Sequence, residues 1–322
     1  MTVAVALLAY ATVLAVTSPR LLRGASWADR APRLGICLWQ ALSMSVLAAA
    51  ALAGLALALP SPRLSANLAA LLRACIMSLQ ASYATPGGAG IAGAGLTLTT
   101  ILLLRVGFCA TSGLARAGRE RRRHARKLAV VARPAPALDA VVLTHPTAAV
   151  YCLPGRARRV VLTTAAVETL TAEQLRAVLA HERAHLAERH HLILAGADTF
   201  ARAFPRIPLF IAARAEIARL LELAADDAAC RHHERRSIAA ALAALAGAGH
   251  PEASLAAGGP TALERVRRLL RPANPLGATR TALGATVIVL LLLIPLVVAA
   301  GPMAVIAHAA YCPIPAVAPP GA

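Results

Sequence analysis

Charged and aromatic side chains are scarce in this sequence, and both shortages restrict what the protein can be. Of its 322 residues only 15% are charged, whereas soluble domains carry about 25%. Aromatic residues make up 3%, too few for the aromatic girdles of a membrane β-barrel. The six cysteines include no C-x-x-C pair, so a thiolate zinc site is not expected. A simple soluble protein, a disordered chain and a disulfide-rich module are excluded.

Long stretches without any charge are what the sequence has instead. There are four of them, over residues 1–19, 34–62, 74–104 and 281–322. About 20 apolar residues cross a bilayer, so we expect membrane helices over about 2–19, 35–59, 86–105 and 282–300. No basic residue precedes Arg20, so we do not expect the first stretch to be a signal peptide. The chain then divides into three membrane helices (1–105), a domain over 106–280, and a fourth helix with a short tail (281–322).

The positions of the charges orient the chain. The net charge is +18, and all 15 acidic residues and 31 of the 33 basic ones lie in 20–33 and 105–280. Basic residues collect in cytoplasmic loops, so we expect the segment 106–280 in the cytoplasm and both termini outside. The basic run 119–127 is then an orientation anchor, with a lipid or nucleic-acid patch as the alternative. A single lysine among abundant arginine and alanine favours a GC-rich bacterial genome and its plasma membrane.

Short β-like runs followed by helical patterns fill the segment 106–280. The runs predict a sheet of about three strands, over residues 140–144, 150–153 and 159–163. Thr171 and Gln174 form a capping box that begins a helix expected to reach Ala203, because Pro205 and Pro208 follow. Further helices are predicted over residues 209–231, 234–247 and 262–270.

The first predicted helix carries His181-Glu182-Arg183-Ala184-His185, an H-E-x-x-H motif. Residues four apart lie on one face of a helix, so His181 and His185 can bind one tetrahedral metal ion. Glu182 lies beside that face and can act as a general base. The alternative is a chance match on a solvated helix face, which the capped helix and the downstream acidic residues make the weaker interpretation.

A catalytic zinc site needs a third protein ligand and an open position. Glu222, 37 residues after His185, is the expected ligand, because the proline turn at 205–208 lets the second helix return along the first. Asp226, one turn later, is expected to hold the second nitrogen of a ligating histidine; a surface acid is the alternative. Zn²⁺ is therefore the expected cofactor.

The remaining histidines and polar residues near the motif are not expected to bind the metal ion. The histidine doublets 190–191 and 232–233 cannot form a helix face, so we expect them to be solvated or interfacial. Asp227 is expected to be a surface acid. The sequence does not choose among four residues that could stabilise an oxyanion: Arg231, His232, His233 and Arg235.

The motif with its flanks (179–186), the stretch 204–210 and the element 222–227 resemble the BlaR/MecR-type membrane metallopeptidases. The E-x-x-A-D element is also similar to the HtpX and CAAX-prenyl protease group. The resemblance covers essentially the whole chain. It implies an α-helical polytopic membrane protein of about four spans with a cytoplasmic α+β, zincin-like domain. It also implies a gluzincin, with His181, His185 and Glu222 binding zinc and Glu182 as the catalytic base.

The function that this resemblance implies is zinc-dependent proteolysis in signalling. The expected substrate is a protein, a cytoplasmic transcriptional repressor of winged-helix type, and the expected surroundings are a lipid bilayer. Antibiotic sensors of this type carry a penicillin-binding domain after the last span, where this chain has about 20 residues after Ala300. The single lysine, Lys127, allows no external S-x-x-K acylation motif, so direct β-lactam sensing is not expected. Homo-oligomerisation stays open, and direct nucleic-acid binding is not expected.

Three other functions are alternatives to signalling proteolysis. An HtpX-like quality-control protease shares the same chemistry and stays open. An intramembrane site-two protease would bury charges at high cost, because five charged residues flank the motif: Glu173, Arg176, Arg183, Glu188 and Arg189. A non-enzymatic receptor or nucleic-acid-binding protein leaves the metal-binding pattern unexplained. Cys75 and Cys312 both fall outside in this topology, and a disulfide between them is a hypothesis.

Overall fold

The computed structural model describes residues 1–58, 87–155, 159–248 and 259–311. The chain forms two compact units. The first, which we call the membrane unit, takes Met1–Arg20, Ala41–Gly107 and the chain from Thr286 onwards. The second, which we call the peptidase unit, takes Leu21–Gln40 and Phe108–Ala285. Cys75 and Cys312 lie outside the described residues.

Four helices in the described part of the chain are long and apolar enough to cross a membrane. They are α1 (Thr2–Leu22), α3 (Pro32–Ala58), α4 (Gly88–Val131) and α11 (Ala278–Tyr311). α3 follows the short helix α2 (Ser26–Arg30). The sequence predicts four apolar spans, and these four helices support a multi-pass membrane protein. α4 is 44 residues long, so the basic run 119–127 continues the same helix as the third span.

Hydrogen bonds and small residues hold the membrane unit together. The hydroxyl of Tyr10 on α1 lies 2.8 Å from that of Ser45 on α3, and Ser45 donates to the carbonyl of Leu291 on α11 at 2.6 Å. α3 and α4 approach closely at two glycines, since a Cβ on Gly95 would lie 2.5 Å from the carbonyl oxygen of Gly54. Such contacts are the usual means of helix association in lipid.

The sheet of the peptidase unit has four strands among the residues that the structure describes. They are β1 (Ala132–Ala135), β2 (Ala140–Leu143), β3 (Val150–Leu153) and β4 (Arg159–Thr163), in the order β1-β2-β4-β3. β2 and β4 are parallel, and the other two pairs are antiparallel. The expectation of about three strands missed β1, whose sequence Ala-Arg-Pro-Ala has no β-branched residue. Pro134 is tolerated there because β1 is an edge strand.

In the described residues between the sheet and α11 the chain forms six helices. They are α5 (Thr164–Thr169), α6 (Ala172–Ala187), α7 (His190–Ala203), α8 (Pro208–Ala229), α9 (Arg235–Ala248) and α10 (Gly259–Leu270). The capping box of α6 is confirmed, with both reciprocal hydrogen bonds between Thr171 and Gln174 present. The expectation of one helix from there to Ala203 is wrong. The chain breaks at Arg189, which adopts a left-handed conformation with φ of +52°, so α7 leaves in a new direction.

The central strand β4 carries the core on both of its faces. Val160 and Leu162 pack with Leu179 and other residues of α6. Val161 points to the opposite face and packs with Leu128 near the end of α4. Alternate residues of a strand point to opposite faces, so β4 ties the basic extension of α4 to the helix that carries the H-E-x-x-H motif.

Candidate metal centre

Helix α6 presents the two motif histidines on one face, as the spacing predicts. Nε2 of His181 and Nε2 of His185 lie 3.2 Å apart. His181 is buried, and His185 is half-buried. Their ring nitrogens therefore converge on one point beside the helix.

Helix α8 brings Glu222 to the same point. Its carboxylate oxygens lie 3.6 Å from Nε2 of His181 and 3.5 Å from Nε2 of His185. Zinc–ligand bonds of about 2.0–2.1 Å place tetrahedral donors about 3.3–3.4 Å apart. The His181–His185 distance of 3.2 Å is close to that spacing, and Glu222 reaches the two histidines through different oxygens, Oε2 at 3.6 Å and Oε1 at 3.5 Å. In the described part of the chain these three side chains form the cluster that can hold a metal ion.

The pKa shifts of the three triad residues follow from their burial and from the charged groups beside them. Burial lowers the pKa of His185 to about 4, with only partial opposition from Glu222. Burial also disfavours charge on His181, but the adjacent carboxylates of Asp226 and Glu222 outweigh it and raise the pKa to about 9. For Glu222, burial is outweighed by His181 and Arg265, and the pKa falls to about 2. His185 and Glu222 are therefore in their metal-binding protonation states at neutral pH.

Asp226 lies directly behind His181, one helical turn after Glu222. It is fully buried, and its Oδ1 is 3.0 Å from Nδ1 of His181. The distance is that of an ion pair, although Nδ1 finds no partner that also satisfies the angle of a hydrogen bond. Contacts with Arg265 and His181 outweigh burial and lower the pKa of Asp226. An ionised carboxylate at this nitrogen orients the ring so that Nε2 faces the triad.

Arg265 on α10 contacts the same carboxylates, and sequence analysis did not find it. Its Nε and Nη2 donate to the two oxygens of Asp226 at 2.8 and 2.7 Å, and its Nη1 donates to Glu222 at 2.9 Å. Nη2 also lies 3.5 Å from Nε2 of His181. No motif marks this arginine, because it reaches the site from a helix about 40 residues further along the chain.

His190 was expected to be solvated or interfacial, and this expectation is wrong. The residue is 4% exposed, and its Nδ1 lies 2.9 Å from Nδ1 of His185. Its Nε2 is 3.3 Å from the carboxylate of Glu188. The break at Arg189 turns the chain back, so the first residue of α7 supports the second motif histidine from behind.

Glu182 and Cys152 form the side of the site that faces the sheet. Glu182 is half-buried, and its pKa is raised by burial and by the charge of Glu222, against the opposing charge of His181. Cys152 lies on the edge strand β3. Burial and the neighbouring Glu182 raise the pKa of its thiol to about 12, so the thiol is neutral at physiological pH.

The sequence left four residues as candidates for stabilising an oxyanion. The cation that lies beside the triad is Arg265, which is not one of them. Arg231 lies 3.8 Å from Glu188. Arg235 donates to the carbonyl oxygens of Arg268 and Leu269 at 2.9 and 3.1 Å. These contacts occupy both arginines away from the triad. His232 is exposed and His233 is half-buried. Asp227, expected to be a surface acid, pairs with Arg268 at 2.8 Å.

The fold and the site together define a membrane metallopeptidase of the zincin type. An H-E-x-x-H helix packs under a small mixed sheet, and a glutamate from a second helix completes the triad. Residues 115–273 match the family model of Peptidase family M48. This segment begins within α4 and ends just after α10, so it contains the whole site. No curated protein and no solved structure matches the chain.

Proposed function

We propose that this protein is a zinc-dependent endopeptidase that acts in regulated proteolysis, and that its substrate is a cytoplasmic transcriptional repressor. The observation that carries the proposal is the convergence of three donor atoms, all within 4.8 Å of one another, beside a half-buried glutamate. Nitrogen and carboxylate donors of this kind suit zinc. A zinc ion bound there supplies a Lewis acid and makes water more acidic.

Each side chain then has a distinct task. His181, His185 and Glu222 hold the ion. Glu182 takes the proton from the attacking water and passes it to the leaving amine, and burial raises the pKa of its carboxyl group. Glu222 is 39% exposed, so the site is open to solvent and to an extended peptide on one side.

The proposed site faces the cytoplasm. The loop between the first two spans, residues 21–33, supports this placement because it belongs to the peptidase unit. Asp29 in that loop accepts a hydrogen bond from Arg219 of α8 at 2.7 Å, and its carbonyl accepts one from Arg268 of α10 at 2.9 Å. A loop bound to the peptidase unit lies on the same side of the membrane, and both are rich in basic residues.

The regulatory role rests on the resemblance to BlaR/MecR-type proteins and on this bound loop. The loop connects two membrane helices directly to the helices that carry Glu222 and Arg265. The E-x-x-A-D element at 222–226, also present in the HtpX and CAAX-prenyl protease group, supports a quality-control protease as the second candidate.

One experiment separates these possibilities. The full chain, purified in detergent, is assayed for zinc by atomic absorption and for cleavage of a co-encoded winged-helix repressor and of an unfolded membrane protein. We expect Glu182→Gln to keep zinc and lose cleavage, because the base is removed while the ligands stay. We expect His185→Ala to lose both. Repressor cleavage supports signalling, cleavage of the unfolded protein alone supports quality control, and unchanged cleavage by Glu182→Gln contradicts the mechanism.

A further inference from the structure

We propose that Arg265 is a positioning residue that fixes Glu222 and Asp226 in their ligand-holding arrangement and so sets the affinity and geometry of the metal site. The inference rests on the proposed metallopeptidase function and assigns one more residue to the same site. Arg265 lies in the sequence segment G-G-P-T-A-L-E-R, which carries no recognised metal-binding pattern. Its assignment depends on the three-dimensional contacts alone.

The first argument is that the guanidinium group of Arg265 donates hydrogen bonds to both carboxylates. Three of its five donors are committed to the two carboxylates, at 2.7, 2.8 and 2.9 Å. These are the lengths of charge-assisted hydrogen bonds. Arg265 is 8% exposed and Asp226 is fully buried. A single planar group thus joins Glu222 and Asp226, which stand one helical turn apart and would otherwise repel each other.

The second argument is that the two oxygens of Glu222 contact different groups. Oε2 accepts from Arg265 at 2.9 Å and lies 3.6 Å from His181. Oε1 lies 3.5 Å from Nε2 of His185. Because the arginine holds Oε2, rotation of the carboxylate is restricted and Oε1 is presented to the triad. A lysine could not replace the fork, since an ammonium group is a point charge without planar, bidentate geometry.

The third argument is the rigidity of the helix that delivers Arg265. Two residues just after Arg265 on the same helix, Arg268 and Leu269, anchor α10. Leu269 is 2% exposed, and Arg268 donates to Asp227 at 2.8 Å. Arg235 of α9 in turn donates to the last carbonyl groups of α10. The guanidinium is therefore held by its scaffold as well as by its partners, as a positioning group requires.

The test uses the full chain in detergent, loaded with Co²⁺ in place of zinc. The visible absorption of Co²⁺ reports the number and geometry of its ligands independently of proteolysis. We expect Arg265→Lys to bind Co²⁺ about 10- to 100-fold more weakly than the wild type, the usual effect of changing a group behind the ligands. We also expect its absorption band to weaken and shift. Arg267→Lys, an exposed arginine two residues along the same helix, should change the affinity less than twofold and leave the spectrum unchanged.

A second comparison covers the case in which Arg265→Lys fails to fold because Asp226 loses its partner. Asp226→Asn alone is compared with Asp226→Asn combined with Arg265→Met, so that no unpaired buried charge remains. We expect the double variant to bind Co²⁺ at least fivefold more weakly than the single one, because Glu222 is then free to rotate. Equal affinity in this pair, or a wild-type spectrum in Arg265→Lys, would overturn the proposal.

Failure of the proposed function gives a different result. If the wild-type chain binds no stoichiometric Co²⁺, the metallopeptidase function itself is wrong and the positioning role falls with it. If the wild type and Glu182→Gln bind Co²⁺ with the same spectrum and Arg265→Lys does too, only the assignment of Arg265 is wrong.

Discussion

Replacing Asp226 by Asn tests the buried charge cluster behind the metal site. The substitution removes one charge and nearly preserves the shape of the side chain. Asp226 is fully buried and accepts two hydrogen bonds from Arg265, at 2.7 and 2.8 Å. Removing one partner of a buried ion pair costs about 3–5 kcal/mol, because the remaining charge is left uncompensated. Arg265 keeps Glu222 at 2.9 Å, so we expect the lower end of that range, about 3 kcal/mol.

Asp227 provides the matched control on the same helix. Its side chain is 36% exposed and pairs with Arg268 at 2.8 Å. An exposed pair of this kind contributes about 0–1 kcal/mol. In a domain of this size each kcal/mol changes the unfolding temperature by about 2–4 °C. We therefore expect a decrease of about 6–12 °C for Asp226→Asn and at most about 4 °C for Asp227→Asn.

Tryptophan fluorescence during heating of the detergent-solubilised, metal-free chain measures this difference. The sequence has two tryptophans, Trp27 and Trp39, and both belong to the peptidase unit, so the signal follows the unit that contains the site. Equal decreases for Asp226→Asn and Asp227→Asn, or a rise for Asp226→Asn, would refute the reasoning, because the burial of the charge would then have no energetic consequence.

Three further predictions follow from the site and the topology. Without metal, thermal stability should peak near pH 6.5. The lowered pKa values of Glu222, Asp226 and His185 make the fold more stable as the pH rises to that point. The stabilisation that comes from the raised pKa of His181 is complete below pH 6.5 and is lost as the pH rises through about 9. A maximum below pH 5 or above pH 8 contradicts this. With Cys152 as its single cysteine, the chain should react with maleimide at pH 8 about 100- to 1,000-fold more slowly than a free thiol, because its thiol pKa is about 12. Glu182→Gln should speed that reaction, and labelling at the rate of free glutathione would show the thiol to be unperturbed. Reporter fusions near Gly249 and at the C-terminus should read cytoplasmic and external, respectively; an external signal near Gly249 would put the site out of reach of a cytoplasmic repressor.

Local periodicity explains why several features were readable from the sequence. The apolar helices follow from long runs without charge, and the start of α6 follows from its capping box. His181 and His185 share a face because residues four apart in a helix always do. Glu222 could be proposed as the third ligand because a proline turn between two helices reverses the chain. Each of these inferences needs only neighbouring residues or the geometry of a single helix.

The tertiary structure decided the features that depend on distant parts of the chain. His190 reaches His185 only because Arg189 takes a left-handed conformation. An arginine in the sequence does not predict that conformation. β1 is a strand only because β2 offers it an edge, since its own sequence has low strand propensity. Arg265 joins Glu222 and Asp226 from a separate helix. The sequence determines which side chains can do chemistry, whereas packing between remote elements decides which charges come to share one buried site, because low polarity there forces every charge to find a partner.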